Sequence, residues 1–437
     1  MTIGGIWQRY WFRPAPLFNL ALCRVVCVGV QLAGLFEDRG IFVEHSRLPD
    51  SLYDPVILLR LILWPFGEAL QTRPSYGAIA AIYWITLAAG GFALLGALTR
   101  TSLVLFAFGN LFLTAFKWSF NDFHHSDAIM VIFVGLLAMS PAGATLSLDD
   151  LSARLRQATL QKRLDPSNVL NATSQFARFP LLLTQHLFSV IYLNAGVSKL
   201  WVAGLDWANG DTLQYYLWRD GLSRGSELGV WLGQQHALAV LSSWITLVFE
   251  CTFFLVLLWP RLLVLYVPLG FSLHLGMCLT SLACFVPYFA LYSVFVPWAS
   301  FAKRAADGFK RERLRIFFDG ACVLCIRSMT FVGYWDWFSR LDYVDMTNSA
   351  GRGAETAGET ADSAPPEMVV IRPDGERREG FFAWREILSQ LPILWPLLVF
   401  LWIPGMSQIG PKVYRRIAQS RRRWGNCHDG LCSTGWR

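Results

Sequence analysis

The chain carries a succession of apolar segments, each about as long as a bilayer's hydrocarbon core is thick, and that succession limits the folds open to it. A helix needs about 20 predominantly apolar residues to cross a membrane. Segments of that kind lie near 16–36, 78–98, 101–118, 127–146, 179–198, 237–259, 261–280 and 282–301. Inside a bilayer every backbone N–H and C=O must be paired within the protein, which leaves helices as the form for such segments. The stretch 52–66 is apolar too, but it is short and interrupted by Arg60, so a re-entrant or interfacial piece is expected there. Composition agrees, with 54% hydrophobic and only 16% charged residues, where soluble domains carry about 25% charged.

Eight spans return the chain to its starting side. The N-terminus with Arg9 and Arg13, the Arg100 turn, the basic loop 147–178 and the tail from Lys303 then share one face. By the positive-inside rule that face is cytoplasmic. The loop 37–77, with Arg39, Arg47, Arg60 and Arg73, runs against the pattern. No cleavable signal peptide is evident, so a retained first span is expected. The expectation is an integral protein of the plasma or inner membrane, N-terminus and C-terminal domain in the cytoplasm. The net charge of +7 sits in these loops, as an orientation signal does, so nucleic acid is not an expected partner.

After residue 302 the character changes. Residues 303–313 form a basic linker between a membrane domain, 1–302, and a small α/β domain, 314–437. Leu314-Arg-Ile-Phe-Phe-Asp-Gly320 reads as a strand running into a turn, and Leu341–Met346 as a second strand. Residues 347–366 are rich in Gly, Ala, Glu, Thr and Pro, a composition typical of flexible segments. Met368–Glu379 reads as a hairpin turning at Asp374-Gly375. The apolar run Ile393–Ile403 is short for a span; it fits a buried helix of the small domain, or one that docks on the membrane or the span region.

Five of the nine cysteines, Cys23, Cys27, Cys251, Cys278 and Cys284, lie in apolar spans and are expected as small core residues. Cys322 and Cys325 are different. They stand two residues apart where the strand gives way to a helix. A helix N-terminus favours thiolate over thiol, and a second thiol one turn on can close or resolve a disulfide. Zinc sites use the same spacing, with further ligands that Cys427, His428 and Cys432 have the chemistry to supply. The pair Cys427 and Cys432 also reads either as a second thiol relay or as a terminal staple. The strand, Asp-Gly turn, C-x-x-C and helix together favour a thioredoxin-like redox domain over zinc, and no metal is assigned.

Phe318-Asp-Gly-Ala-Cys-Val-Leu-Cys325, with the basic run Val413–Arg421, resembles the DCC family of thiol-disulfide oxidoreductases over roughly 314–432. The resemblance implies a thioredoxin-like domain in which Cys322 attacks, Cys325 resolves and Asp319 is the motif acid. A carboxylate beside a thiol opposes the thiolate, so Asp319 is expected to shuttle a proton or to fix the turn. Thioredoxin-like folds place a cis-proline opposite the cysteines, and Pro366 is the candidate.

Polar residues within spans are costly and tend to be functional. Lys117–Ser126, with His124 and His125, and Tyr192–Trp201, with Lys199, emerge on one external face in the eight-span arrangement, while Glu250 and His274 lie inside later spans. Snorkelling of Lys199, an interfacial place for the histidines and a structural lock of Glu250 with His274 or Arg24 are the plainer readings. These segments resemble the horizontally transferred transmembrane domain that includes vitamin K-dependent γ-carboxylase. The matching pieces are Asn121, His125-Ser126, Ala195–Leu200, Asp206-Trp207, Gly210 and Phe271–His274. That resemblance implies a quinone-handling pocket with Lys199 as base, assisted by His125. Unlike the carboxylase, this chain has no large extracytoplasmic domain after its spans.

The expected function is a membrane-bound thiol-disulfide oxidoreductase of the protein-disulfide reductase type, with the bilayer, a thiol or disulfide redox partner and a quinone-like or lipid molecule as its associates. The alternatives are a carboxylase-like membrane enzyme with an accessory redox domain, and a scaffold or transporter with a thiol switch.

Overall fold

The computed structural model describes residues 2–66, 73–123, 125–164, 168–281, 284–308, 313–347 and 367–420. It divides into two compact units, Met1–Ser147 with Thr173–Pro297, and Leu148–Ala172 with Trp298–Arg437.

The first unit is helical, apart from a two-residue ladder in which Ala15–Pro16 (β1) pairs antiparallel with Thr173–Ser174 (β2). Five of its helices are long and apolar enough to cross a membrane: Leu17–Glu37, Tyr76–Leu95, Thr99–Trp118, Arg178–Asn209 and Pro260–Thr280. Three shorter apolar helices, Asp127–Ala138, His236–Thr252 and Val286–Phe295, stand in the remaining predicted spans. The expected eight full-length spans are therefore not all present. Turn residues explain the shortening: the first of the three stops just ahead of Pro141-Ala-Gly143, and Pro287 opens the last. Outward faces are apolar, with Val264 84% and Trp201 88% exposed. Open apolar surface on this scale is stable against lipid rather than water.

Polar pairing inside this unit centres on Arg24, whose side chain is wholly buried. Its guanidinium donates to the carbonyls of Ala93 and Leu94 at the end of the Tyr76–Leu95 helix. It also donates to Ala142 and Leu146 in the segment after residue 138. One planar fork thus satisfies helix-terminal and turn carbonyls that have no water to turn to.

Cys278 and Cys284 do not behave as isolated core residues. They form a disulfide, their Cα atoms 4.3 Å apart. The helix Leu263–Thr280 ends just past Cys278, and the chain turns back before Val286. That reversal brings two sulfurs together which looked like members of separate spans.

The second unit has a four-stranded mixed sheet in the order β4-β3-β5-β6. β3 is Leu314–Phe318 and β4 is Leu341–Asp345, parallel in register from Leu314↔Leu341 to Phe318↔Asp345. β5, Val369–Ile371, runs antiparallel to β3 and forms the expected hairpin with β6, Arg377–Glu379. Its turn holds Gly375 at φ +86°. Alternate residues of β3, Leu314, Ile316 and Phe318, enter a core with Ile326, Val332, Val370 and Ile387.

Residues 148–172, expected as a loop between spans, fold into this second unit. The helix Leu148–Gln161 buries Ala158 in the same core, and Asn168 donates to the carbonyls of Asp336 and Trp337 at 3.3 and 3.2 Å. The apolar run near 393–403 is only partly buried: Leu394 enters the core and Leu398 and Leu401 pack on it, while Trp395, Val399, Phe400 and Trp402 are each more than half exposed. A break before Met406 bends the two helical pieces by 103°, with Gly405 at φ +90° in it.

Replacing Arg24 by Leu is expected to strand these carbonyls and lower stability by about 3 kcal/mol. Arg24→Lys should recover less than half, because an ammonium lacks the fork. Thermal unfolding in detergent decides it; unchanged melting of Arg24→Leu would show that the carbonyls find other partners.

Candidate functional site

The two cysteines sit where β3 hands over to the helix Val323–Trp335. Cys322 is the N-cap residue of that helix, with extended backbone at φ −91° and ψ 113°, and its Sγ accepts the Cys325 N–H at 3.4 Å. The Cys322 carbonyl takes the Ile326 N–H at 3.0 Å, the first bond of the helix. Cap serines and aspartates use an oxygen in this place; here a sulfur does so, where the orphan amides of the first turn point at it. Both cysteines are partly exposed. The sulfur is thus accessible and set against donors that suit a thiolate.

Asp319 shapes the approach. Its Oδ1 accepts the Ala321 N–H at 2.9 Å, and its carbonyl accepts the Cys322 N–H at 3.2 Å. Of the two expected roles, the structure displays the turn-forming one.

A second carboxylate was not expected from the sequence. Asp345, last residue of β4, lies beside Phe318 in the parallel register, and its Oδ1 accepts the Gly320 N–H at 3.1 Å. The same oxygen accepts from the Thr347 N–H at 2.9 Å and hydroxyl at 2.7 Å. A Cβ on Gly320 would stand 2.2 Å from both Asp345 carboxylate oxygens, so only glycine admits the contact. The usable signal was an Asp closing the strand that follows the C-x-x-C helix.

Behind this loop, Asp336 accepts the Arg340 and Leu341 amides at 2.8 and 3.0 Å and so starts β4. Burial pushes its carboxyl up despite those two bonds.

In the first unit the expected residues separate into pairs. Lys199 meets Glu250, Nζ to Oε2 2.7 Å and to Oε1 2.9 Å, and lies over the Trp207 ring at 5.1 Å. Glu250 was expected to lock with His274 or Arg24, but Lys199 is its partner. The helices approach closely there, since a Cβ on Gly196 would meet Cys251 Sγ at 2.6 Å. His274 instead bonds Tyr192 through Nε2 at 2.6 Å, stacks on Tyr288 at 4.8 Å, and shares Tyr192 with the Tyr292 hydroxyl, also at 2.6 Å. Helix packing, which no local pattern encodes, chose these partners. His125 opens the His125–Ala138 helix, but its side chain, like His124, Pro366, Cys427, His428 and Cys432, lies outside the described residues. Among the described residues no cluster of His, Cys, Asp and Glu is arranged to hold a metal ion.

Residues 316–427 match the family model for DCC1-like thiol-disulfide oxidoreductase. No curated protein and no solved structure was found to match the chain. The family match takes in the end of β3 from Ile316, Cys322 and Cys325, Asp345 and the β5–β6 hairpin, and so supports a thiol-disulfide oxidoreductase role for the C-terminal domain.

Asp345→Ala should slow disulfide exchange at Cys322 about tenfold, the worth of one well-placed hydrogen bond. Asp345→Asn, which keeps an acceptor oxygen, should retain most activity. Equal rates in all three proteins, measured by stopped-flow reduction of a model disulfide, would remove Asp345 from the loop's support.

Proposed function

We propose that this chain is a membrane-bound thiol-disulfide oxidoreductase of the protein-disulfide reductase type. One observation carries the reading: Cys322 caps a helix with its sulfur, one turn from Cys325, in a domain that matches an oxidoreductase family. Cys322 thiolate attacks a substrate disulfide, forming a mixed disulfide and releasing one substrate thiolate. Cys325 then attacks Cys322 Sγ, releasing the second thiol and leaving the enzyme oxidised by two electrons. A thiol or dithiol partner restores it.

The membrane unit serves as anchor, with the bilayer as partner and a quinone-like or lipid molecule as a further associate. Eight crossings, with N-terminus and redox domain in the cytoplasm, remain the proposed arrangement. Two features support it. Residues 148–172 fold with 298–437, so the chain between must leave and return to one side, and four apolar helices lie in that interval. The Cys278–Cys284 disulfide then falls after the third of these, a position that the proposed crossings put in an extracytoplasmic compartment, where oxidising conditions preserve disulfides.

A carboxylase-like role for Lys199 gains no support from its geometry, since its ammonium is engaged by the Glu250 carboxylate.

Cys322→Ser should abolish reduction of a model disulfide, while Cys325→Ser should accumulate a mixed disulfide with substrate, visible on a non-reducing gel. Undiminished turnover by Cys322→Ser would sink the assignment. Lys199→Ala should leave this activity within about twofold, because the pair it breaks belongs to the other compact unit; loss of exchange there would make the membrane unit part of the catalyst.

A further inference from the structure

Beside Cys325 lies a cavity of about 270 Å³ between the Val323–Trp335 helix, β3 and the C-terminal helix Met406–Ser420. Its walls are mostly apolar, with Phe317, Met329, Met346, Met368, Trp384 and Ile417 among the lining residues. Methionine side chains adapt to varied shapes and are soft neighbours for sulfur and aromatic groups. Ile417 is half exposed, which makes the mouth apolar as well. The charged groups among the described lining residues are two carboxylates, Asp319 and Glu367; no Lys, Arg or His accompanies them.

We infer that this cavity selects the substrate of the dithiol: it takes an uncharged, apolar group bonded to the sulfur that Cys322 attacks, and turns away anionic disulfides. The inference rests on the oxidoreductase reading and names the substrate class for the same site. The physical grounds are two. An apolar group leaving water gains with the area it buries. A carboxylate entering a partly desolvated pocket that already holds two carboxylates meets repulsion and, among the described lining residues, no compensating cation. The chemistry is the exchange already written: substrate disulfide is reduced to two thiols, and Cys322–Cys325 is oxidised, with added dithiothreitol returning the electrons.

The test uses the full chain in detergent with three probes: 2,2′-dithiodipyridine, uncharged and aromatic; hydroxyethyl disulfide, uncharged and polar; and 5,5′-dithiobis(2-nitrobenzoate), aromatic and dianionic. Each kcat/KM is divided by the probe's rate with dithiothreitol alone, which removes intrinsic reactivity. The aromatic uncharged probe should exceed each of the other two about tenfold, a difference within the reach of one buried ring or one unpaired charge. Ile417→Lys and Ser328→Lys, both at partly exposed helical positions that tolerate a long side chain, should each shift the ratio several-fold toward the dianion. Equal corrected rates for the three probes, or ratios unmoved in both variants, overturn the inference. In that case, loss of all three activities in Cys322→Ser would leave the oxidoreductase reading standing, whereas persistence of turnover in Cys322→Ser would remove both.

Discussion

The contact between the Gly320 amide and the Asp345 carboxylate is what the reactive part of this protein depends on. β3 and β4 are parallel neighbours, so the end of one lies beside the end of the other, and an acceptor at the last position of β4 reaches the loop that leaves β3. The absence of a side chain at residue 320 lets the two approach. Once the Gly320 amide is fixed, Asp319 folds over the Ala321 amide, the Cys322 amide bonds back to the Asp319 carbonyl, and the Cys322 sulfur arrives at the helix cap. Each step is a local hydrogen bond, and each limits where the next residue can go. A side chain at 320 would push the loop away from the strand end and carry the sulfur off the helix axis.

Much of this was legible in the chain because it is local. The alternation of β3, the Asp374-Gly375 turn and the C-x-x-C spacing are short-range patterns, and the sheet and hairpin follow them. Asp345 was not legible as a partner of the loop, because its role exists only once a parallel register sets residue 345 beside residue 318. The same limit applies to Lys199 and Glu250, 51 residues apart, and to Cys278 and Cys284, whose pairing needs a chain reversal that apolar composition hides. The segment 148–172 looked like a connecting loop since its helix is mostly polar; Ala158, the one buried residue of that helix, is too faint a mark to read alone.

The two units handle polar groups in opposite ways. In the apolar unit, the candidate polar residues with described side chains include several that are matched internally: Arg24 by carbonyls, Lys199 by Glu250, His274 by Tyr192. Groups so engaged lower the cost of placing charge and hydrogen-bonding capacity away from water, and that is sufficient reason for their presence. In the second unit the cysteines are partly exposed, and one of them lines an open cavity. Chemistry requires a group that can still be reached; Cys322 and Cys325 meet that requirement, and the family match over 316–427 supports thiol-disulfide chemistry in the C-terminal domain.

Asp319 illustrates how a motif residue can serve geometry at some electrostatic cost. Its carboxylate belongs to the turn that leads into a thiol that must become anionic to react, and like charges oppose one another at close range. The helix terminus acts in the other direction, since the amide of Cys325 points at the Cys322 sulfur. A carboxylate in the turn therefore moderates the gain from the helix rather than adding to it. Nucleophilicity falls as a thiol becomes more acidic, and a strongly stabilised thiolate belongs to oxidants, whose reduced form is the favoured one. A turn closed over the Ala321 amide by an uncharged acceptor would favour the Cys322 thiolate and make the pair more oxidising, so the carboxylate at 319 bears on the balance of a thiol-disulfide pair as well as on the shape of its turn.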